Sequence, residues 1–542
     1  MAERRVSGIE VAEHSGADHA IDRVPTGVAA FCGRTLKGPV NRPIPVTSFA
    51  EYTQHFGGLW QPSTLSYAVE QFFENGGKEA YIVRVVNGAR APTLTLPAGK
   101  SQLKLIAVNP GSREFLRASV DYDGIGDNEQ DRFNLVLQRV RAAGSELIEE
   151  QEIFRRLSVL PETGRSVATI LTDSRLARVL DEVPPQRPDR SVRNPGSPIV
   201  GYVNSNADGD DGGPLTDYDV IGSAAEGTGI FALRFVSNFN FLCIPPLTRE
   251  QDVGLSTLMI AARFCRDRHA MLVVDPPSSW TTASVALNEL RDWPFRSDNA
   301  VMYYPRVIAL DRLRGRNETF ASCGAVAGMI ARSDETWPVW AAAEGEDTVL
   351  RPGLRPASVV TEQERTRLAQ AGVNTLLAVR PSTRPSSTAR TLAAGSSGAA
   401  DWKYLSARRL ALFITASIER GTRWLMFEQN AEPAWRRAQQ QVEAFLESLD
   451  AQGAFAGSMP EESYFVICDE RVNEPRTVAE GKVKILFGVA ITKPGDFHAW
   501  LITHEPGGVS TCRPSHPNRL ATSGRRLEWE IETAILRGVI LN

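Results

Sequence analysis

The sequence predicts a mixed α/β chain built from several domains, and three observations carry that reading. At 542 residues the chain exceeds what one hydrophobic core usually serves, which points to roughly two to four domains. From Tyr218 to about Val379 strand and helix signals alternate, the rhythm of a layered α/β domain. Between about Asn87 and Asn204 strand signals follow one another, as in Gln102 to Val108, Leu116 to Tyr122 and Phe133 to Val140, which predicts a separate β-rich module.

In chain order, residues 1–24 are polar with a short alternating stretch at Val6, Gly8, Ile9 and Val11, and read as an arm. Val28 to Gly33 is a short apolar run, hence a buried strand, and the turn signal Lys37-Gly38-Pro39 follows it. Ser48 supplies an N-cap for a short helix, Phe49 to Phe56, closed by Gly57-Gly58. Leu65, Ala68, Val69, Phe72 and Phe73 share one helical face, so Leu65 to Asn75 is a second helix. Gly76-Gly77 stops it and Ala80 to Val86 follows as a strand, completing a β-α-α-β unit. Pro184 to Pro198 and Asn204 to Pro214 read as loops. Phe241 to Ile244 is a strand, Val253 to Asp267 a helix, and Ala270 to Asp275 a strand ended by Pro276-Pro277. Pro381 to Ala400 is a Ser/Gly/Pro-rich surface excursion.

Towards the C-terminus a long helix is predicted from Tyr404 to Arg420 and a strand at Arg423 to Glu428. An amphipathic helix from Pro433 to Gln452 has Trp435, Val442, Phe445, Leu446 and Leu449 on its apolar face. Strands are expected near Tyr464 to Asp469, Gly481 to Ala490 and Phe497 to Thr503. The tail reads as irregular from Glu505 to Arg526 and ends in apolar Ile535, Leu536, Val539, Ile540 and Leu541.

Composition excludes several functions. Sixty Lys and Arg against 64 Asp and Glu leave a net charge of −4, without the basic surplus that displaces counterions from nucleic-acid phosphates. No apolar run is long enough to cross a bilayer, and Met1 to His14 lacks the apolar stretch of a secretory signal. The six cysteines have no CxxC spacing and read as free thiols of a cytosolic protein.

Residues with chemical potential are sparse. Gly222 to Thr228 has phosphate-loop spacing but lacks the Lys that must follow Gly227. Asn206-x-Asp208-x-Asp210 begins like a calcium loop, yet position six is Asp211 and position twelve Asp217, which favours a solvated loop. Asp121, Asp123, Asp127, Glu129 and Asp131 read as caps of strand ends. The seven His are isolated from one another, and no GxSxG is present. The sequence therefore predicts no catalytic residue, no metal site and no cofactor. An enzyme built on 218–380 and using Asp275 or Asp292 remains an alternative, and predicts a deep pocket with convergent polar groups. The ten Trp pack a core or anchor a subunit interface.

A resemblance spans the chain from about residue 20 to 503. Thr26 to Gly33, Lys37-Gly38-Pro39, Pro45 to Ser48, Phe56-Gly57-Gly58 and Tyr67 to Gly77 with Tyr81 to Val85 resemble the N-terminal signature of contractile tail sheath proteins. Ala107 to Gly111, Asp208-Gly209, Ile244-Pro245-Pro246, Asp275-Pro276-Pro277, Tyr303-Tyr304-Pro305 and Ala327-Gly328-x-x-Ala331-Arg332 are similar to its middle. Arg390 to Leu392, Trp402 to Leu410, Phe427-Glu428-x-Asn430 with Trp435, Gly488 to Ala490 and Lys493 to Phe497 continue it, with Asp496 where the family usually has Glu.

The resemblance implies a structural subunit that polymerises as stacked hexameric rings around an inner tube. Such a sheath contracts from a metastable extended state and drives the tube through a target envelope. It implies a core domain of mixed sheet and helices from 25–90 plus 385–505, an inserted β-rich domain at 91–204 and an inserted α/β domain at 205–384. Residues 1–24 would form an N-terminal arm, and 506–542 a C-terminal extension. Implied partners are other copies of the chain, the inner tube protein, and baseplate and terminator or cap proteins, with no nucleic acid and no membrane insertion. The protein would be made in a bacterial cytoplasm and built into a phage tail or injection particle. A sheath-like baseplate or cap protein is the nearest alternative. Flexible terminal arms that add a strand to a neighbour's sheet would let subunits slide without separating. The candidate donors are Val6, Ile9 and Val11; Phe497, Ala499 and Leu501; and Ile535, Leu536, Val539 and Ile540. Lys403, Arg408 and Arg409 are candidate charges facing the tube or a neighbouring subunit.

Overall fold

A computed structural model describes residues 20–191, 201–341, 349–377, 388–395, 402–506 and 508–512. They fall into two compact units, one drawn from Pro25–Pro338 and Ala342–Leu405, the other from Met1–Val24, Val339–Ala341 and Ser406–Asn542.

The larger unit opens with β1 (Ala29–Gly33), β2 (Ile44–Val46), α1 (Phe49–Phe56), α2 (Thr64–Glu74) and β3 (Ala80–Arg84), the expected β-α-α-β unit with β2 added. Ser48 and Ser63 cap the two helices, each hydroxyl accepting from the amide three residues on. Next come β4 (Thr93–Ala98), β5 (Ser101–Ala107), β6 (Phe115–Asp121), β7 (Arg132–Val140), β8 (Ile148–Ser158), α3 (Val167–Leu171), β9 (Ala177–Val179) and β10 (Val203–Asn204). They form two antiparallel sheets, β4-β5-β9 and β10-β6-β7-β8, around a common core that includes Leu96, Leu105, Phe133, Leu135 and Leu157.

The α/β rhythm then runs through α4 (Asp217–Ile221), β11 (Phe241–Cys243), α5 (Leu255–Asp267), β12 (Met271–Val274), α6 (Ala283–Asp292) and β13 (Ala300–Tyr304). A hairpin, β14 (Val307–Asp311) and β15 (Arg316–Phe320), precedes α7 (Cys323–Thr336), β16 (Arg355–Pro356), α8 (Glu362–Gln370) and β17 (Asn374–Thr375). The main sheet has the order β17-β13-β12-β11-β1-β3-β2, parallel except for β2. Its central strands are buried on both faces, which is why they read as unbroken apolar runs.

This sheet divides the chain differently from the expected partition. Residues 25–90 were expected to build a core with 385–505, but β1 pairs with β11, Ala29 opposite Phe241. A short apolar strand carries no local mark of its partner. The parallel register and the helices covering both faces decide it.

Helices α2 and α7 cross with almost no side chain between them. A Cβ on Gly324 would lie 1.9 Å from the Ala68 carbonyl oxygen, and one on Gly328 would lie 2.3 Å from that of Phe72. Glycine at both positions lets the backbones touch.

The smaller unit contains α9 (Leu405–Gly421), which begins at its boundary, α10 (Glu432–Asp450), α11 (Pro460–Ser463), β18 (Tyr464–Ile467), α12 (Pro475–Ala479), β19 (Val483–Ala490), β20 (Phe497–Glu505) and β21 (Gly508–Cys512). The strands form one antiparallel sheet in the order β18-β19-β20-β21. The predicted apolar face of α10 is buried at Trp435, Val442, Phe445, Leu446 and Leu449. Two expectations fail here. Arg423–Phe427 is a 3-10 helix rather than a strand, because the chain keeps winding after α9 through amide bonds from Thr422 to Ile418 and from Leu425 to Thr422. The tail is not irregular at once, since β21 pairs antiparallel with β20, Glu505 opposite Gly508 and Leu501 opposite Cys512.

Candidate assembly surface

In an open parallel sheet, ligands bind outside the carboxyl ends of the strands where strand order reverses. Here the reversal falls between β1 and β11. The N-terminus of α2 fills that place. Ser63 donates its hydroxyl to the Arg34 carbonyl, Thr64 donates to the Pro246 carbonyl, and the Leu65 side chain packs on Gly33. Asp275, at the end of β12, is spent as a helix cap: its Oδ1 accepts from the amides of Ser322 and Cys323, both at 2.7 Å. Burial pushes its carboxyl up, against the pull of those bonds and of Arg306. Asp292 lies exposed at the end of α6.

A cavity of ≈ 30 Å³ beside these ends is lined by Tyr67, Arg249, Arg306 and Phe320 among others, enough for about two waters. The Arg249 guanidinium stacks on the Tyr67 and Phe320 rings at 4.9 and 5.2 Å. It pairs with Asp311 at 2.9 Å and with Glu318, while the Tyr67 hydroxyl donates to Asp311 at 3.0 Å. Burial alone would raise the Asp311 carboxyl, but the Leu313 amide, Tyr67 and Arg249 together hold it below the usual carboxylate range. The cluster ties the β14–β15 hairpin to α2.

Several motifs behind the resemblance prove to be joints. Asn75 ends α2, its Nδ2 donating to the Gln71 carbonyl at 2.8 Å and its Oδ1 accepting from the Arg351 amide at 3.1 Å. Arg332 donates to the Asn75 and Val349 carbonyls at 3.0 and 2.6 Å. Arg84 is fully buried, donates to the Gly38 carbonyl at 2.6 Å, and is pushed down to about 10 by burial, with Glu114 and Asp211 opposing. Asp208 accepts from the Thr93 amide at 2.9 Å and Asp211 from the Ser112 amide at 2.8 Å, so these carboxylates of the calcium-like loop clamp backbone. In the acidic run, Asp121 accepts from Asn134, Glu129 pairs with Arg156, and Asp131 accepts from Ser158.

No protein-family model matches the sequence, and no curated protein is significantly similar to it. Solved structures do match. The sheath of the PVC extracellular contractile injection system, in its contracted state, is 16% identical and aligns over 92% of this chain and 97% of its own with a TM-score of 0.50. The sheath tail protein of Desulfitobacterium hafniense is 10% identical over 92% and 100%, at 0.50. That of Listeria innocua is 10% identical over 92% and 97%, at 0.55. The chain has the contractile sheath fold.

Within this sheath fold the described edge strands of the C-terminal sheet are β18 and β21. Phe465 on β18 lies over Gly488, its cross-strand partner, and meets Phe497 edge-on at 5.3 Å, which pins the register of that edge. Tyr464 is pushed up by burial and by nearby Glu447, Asp450, Glu443 and Glu461. The candidate donor Phe497, Ala499 and Leu501 needs correction: β20 is hydrogen-bonded on both sides, to β19 and β21, and has no edge to give. Val6, Ile9, Val11, Ile535, Leu536, Val539 and Ile540 lie outside the described residues.

Arg408 is 3% exposed, so it is an interior group of this chain rather than a surface charge. Arg409 is half-buried, and the Lys403 ammonium sits 5.0 Å from the Tyr404 ring centroid. The last residues of the expected N-terminal arm are anchored. Ile21 and Val24 are buried, Ile21 packs on Gly421, and the Val24 amide donates to Ser417.

Proposed function

We propose that this chain is the structural subunit of a contractile sheath. Copies bind head to tail as stacked hexameric rings around an inner tube protein, with baseplate and terminator proteins at the ends. Repetition of one heterologous contact builds an open helix rather than a closed dimer. Contraction is the relaxation of a metastable extended lattice, and the chain itself catalyses no reaction. The protein is made in a bacterial cytoplasm and built into a phage tail or injection particle. The observation that carries this reading is the sheath fold over 92% of the chain. The α2 N-terminus in the crevice where an α/β enzyme would hold its substrate supports it further.

Residues before Ala20 and beyond Cys512 are the arms that reach neighbouring copies, and β18 and β21 are the edges that receive them. Negative-stain electron microscopy of the purified chain across a salt series tests the proposal. Striated hollow tubes are expected. Closed rings would favour a baseplate or cap component, and dispersed particles at every salt concentration would overturn the sheath reading.

A further inference from the structure

His504 sits on β20 and is 1% exposed. Its Nε2 lies 2.9 Å from Thr422 Oγ1. The Thr422 hydroxyl donates its own hydrogen to the Ile418 carbonyl at 2.7 Å, so towards the ring it can only accept. Nε2 therefore carries the imidazole hydrogen, and Nδ1 keeps a bare lone pair. Nδ1 is buried with no hydrogen-bond partner among the described residues. A proton added there would place a charge and an unsatisfied N–H inside the protein.

Each element packed against the ring contributes to its surroundings. Glu419 on α9 favours the charged form, and Arg423 on the following 3-10 helix opposes it. The cross-strand partners are apolar, Val483 on β19 and Val509 on β21. Glu419 also joins β21 to the helix, accepting from Thr511 at 3.3 Å while lying 3.5 Å from Arg423.

We infer that His504 is an acid-sensitive latch: while neutral it lets β20 and β21 dock on the end of α9, and its protonation releases β21. Burial, the largest influence, pushes the ring down to about 4. Because that lies below an unfolded value of about 6.5, the stabilisation is complete above about 6.5 and is lost as pH falls towards 4. Strand β21 yields first because it has five residues and pairs on one side only among the described residues. In a sheath this would change the edge offered to the next copy. The latch itself is independent of the sheath reading and is tested on the unassembled chain.

Hydrogen exchange by mass spectrometry at pH 7 and 4.5, corrected for intrinsic rates, reads the latch. Protection of amides in Gly508–Cys512 is expected to fall roughly 10- to 100-fold at pH 4.5, with β19 unchanged. In His504→Gln, whose amide can still donate to Thr422, protection should not vary with pH. If that variant fails to fold, nuclear magnetic resonance titration of wild-type His504 replaces it, with a midpoint well below 6 expected. Unchanged β21 protection in the wild type, equal loss in His504→Gln, simultaneous loss in β19, or a midpoint near 6.5 would each overturn the inference.

Discussion

Gly324 and Ala68 meet so closely that a Cβ on the glycine would stand 1.9 Å from the alanine's carbonyl oxygen. The obstacle is backbone, which cannot rotate aside. Gly324→Ala is therefore expected to destabilise the larger unit by about 2–4 kcal/mol. Gly164→Ala, where nothing lies within 4 Å, should stay within about 0.5 kcal/mol. Chemical denaturation of both variants measures the difference. Equal midpoints would mean that α2 and α7 do not pack this way.

Arg249 neutralises two carboxylates with side-chain exposures of 0% and 13%, Asp311 and Glu318. Arg249→Met leaves both charges in place and should cost about 3–5 kcal/mol at pH 7. Arg436→Ala breaks a pair with Glu432 whose partners are each 70% exposed, and should cost under about 1 kcal/mol. Thermal unfolding of the two variants side by side is the check.

Glu70 is pushed up to about 7 by burial and by Glu74, with Arg312 opposing. Its folded value lies above an unfolded value of about 4.3, so the neutral form stabilises the fold. That contribution is complete below about 4.3 and is lost as pH rises towards 7. Glu70→Gln should gain roughly 1 kcal/mol over wild type at pH 8, after allowing for solvent screening, and nothing at pH 4. Stability curves of the two proteins that run parallel from pH 4 to 8 would refute this.

The arm proposal predicts that removing residues 1–19 abolishes tubes and leaves thermal stability unchanged. Extending the deletion through Arg23 removes Ile21, which is 8% exposed, and should lower stability by about 1–3 kcal/mol. Microscopy and unfolding of both truncations separate assembly from folding. Tubes that form normally without residues 1–19 would exclude the N-terminal arm.

Much of the local structure was legible because its causes act within a few residues. Ser48 announces its helix by capping it, the face of Leu65, Ala68, Val69, Phe72 and Phe73 announces α2, and the stripe from Trp435 to Leu449 announces the face of α10. The sheath resemblance drew on residues such as Asn75, Gly76 and Arg332, which here end α2 and join it to α7 and the segment after it. Strand β21 was missed because an irregular tail was expected.

The sequence by itself determined the mixed α/β class and most element positions, since composition, periodicity and capping are properties of neighbouring residues. Tertiary structure alone decided that β1 joins β11, that β20 is an interior strand with no edge to donate, and that Arg408 is buried. It also decided that His504 has one satisfied nitrogen and one bare one. Ala29 and Phe241 are paired across more than two hundred residues of chain. That pairing depends on register, on coverage of both sheet faces and on burial, none of which leaves a mark in a local window.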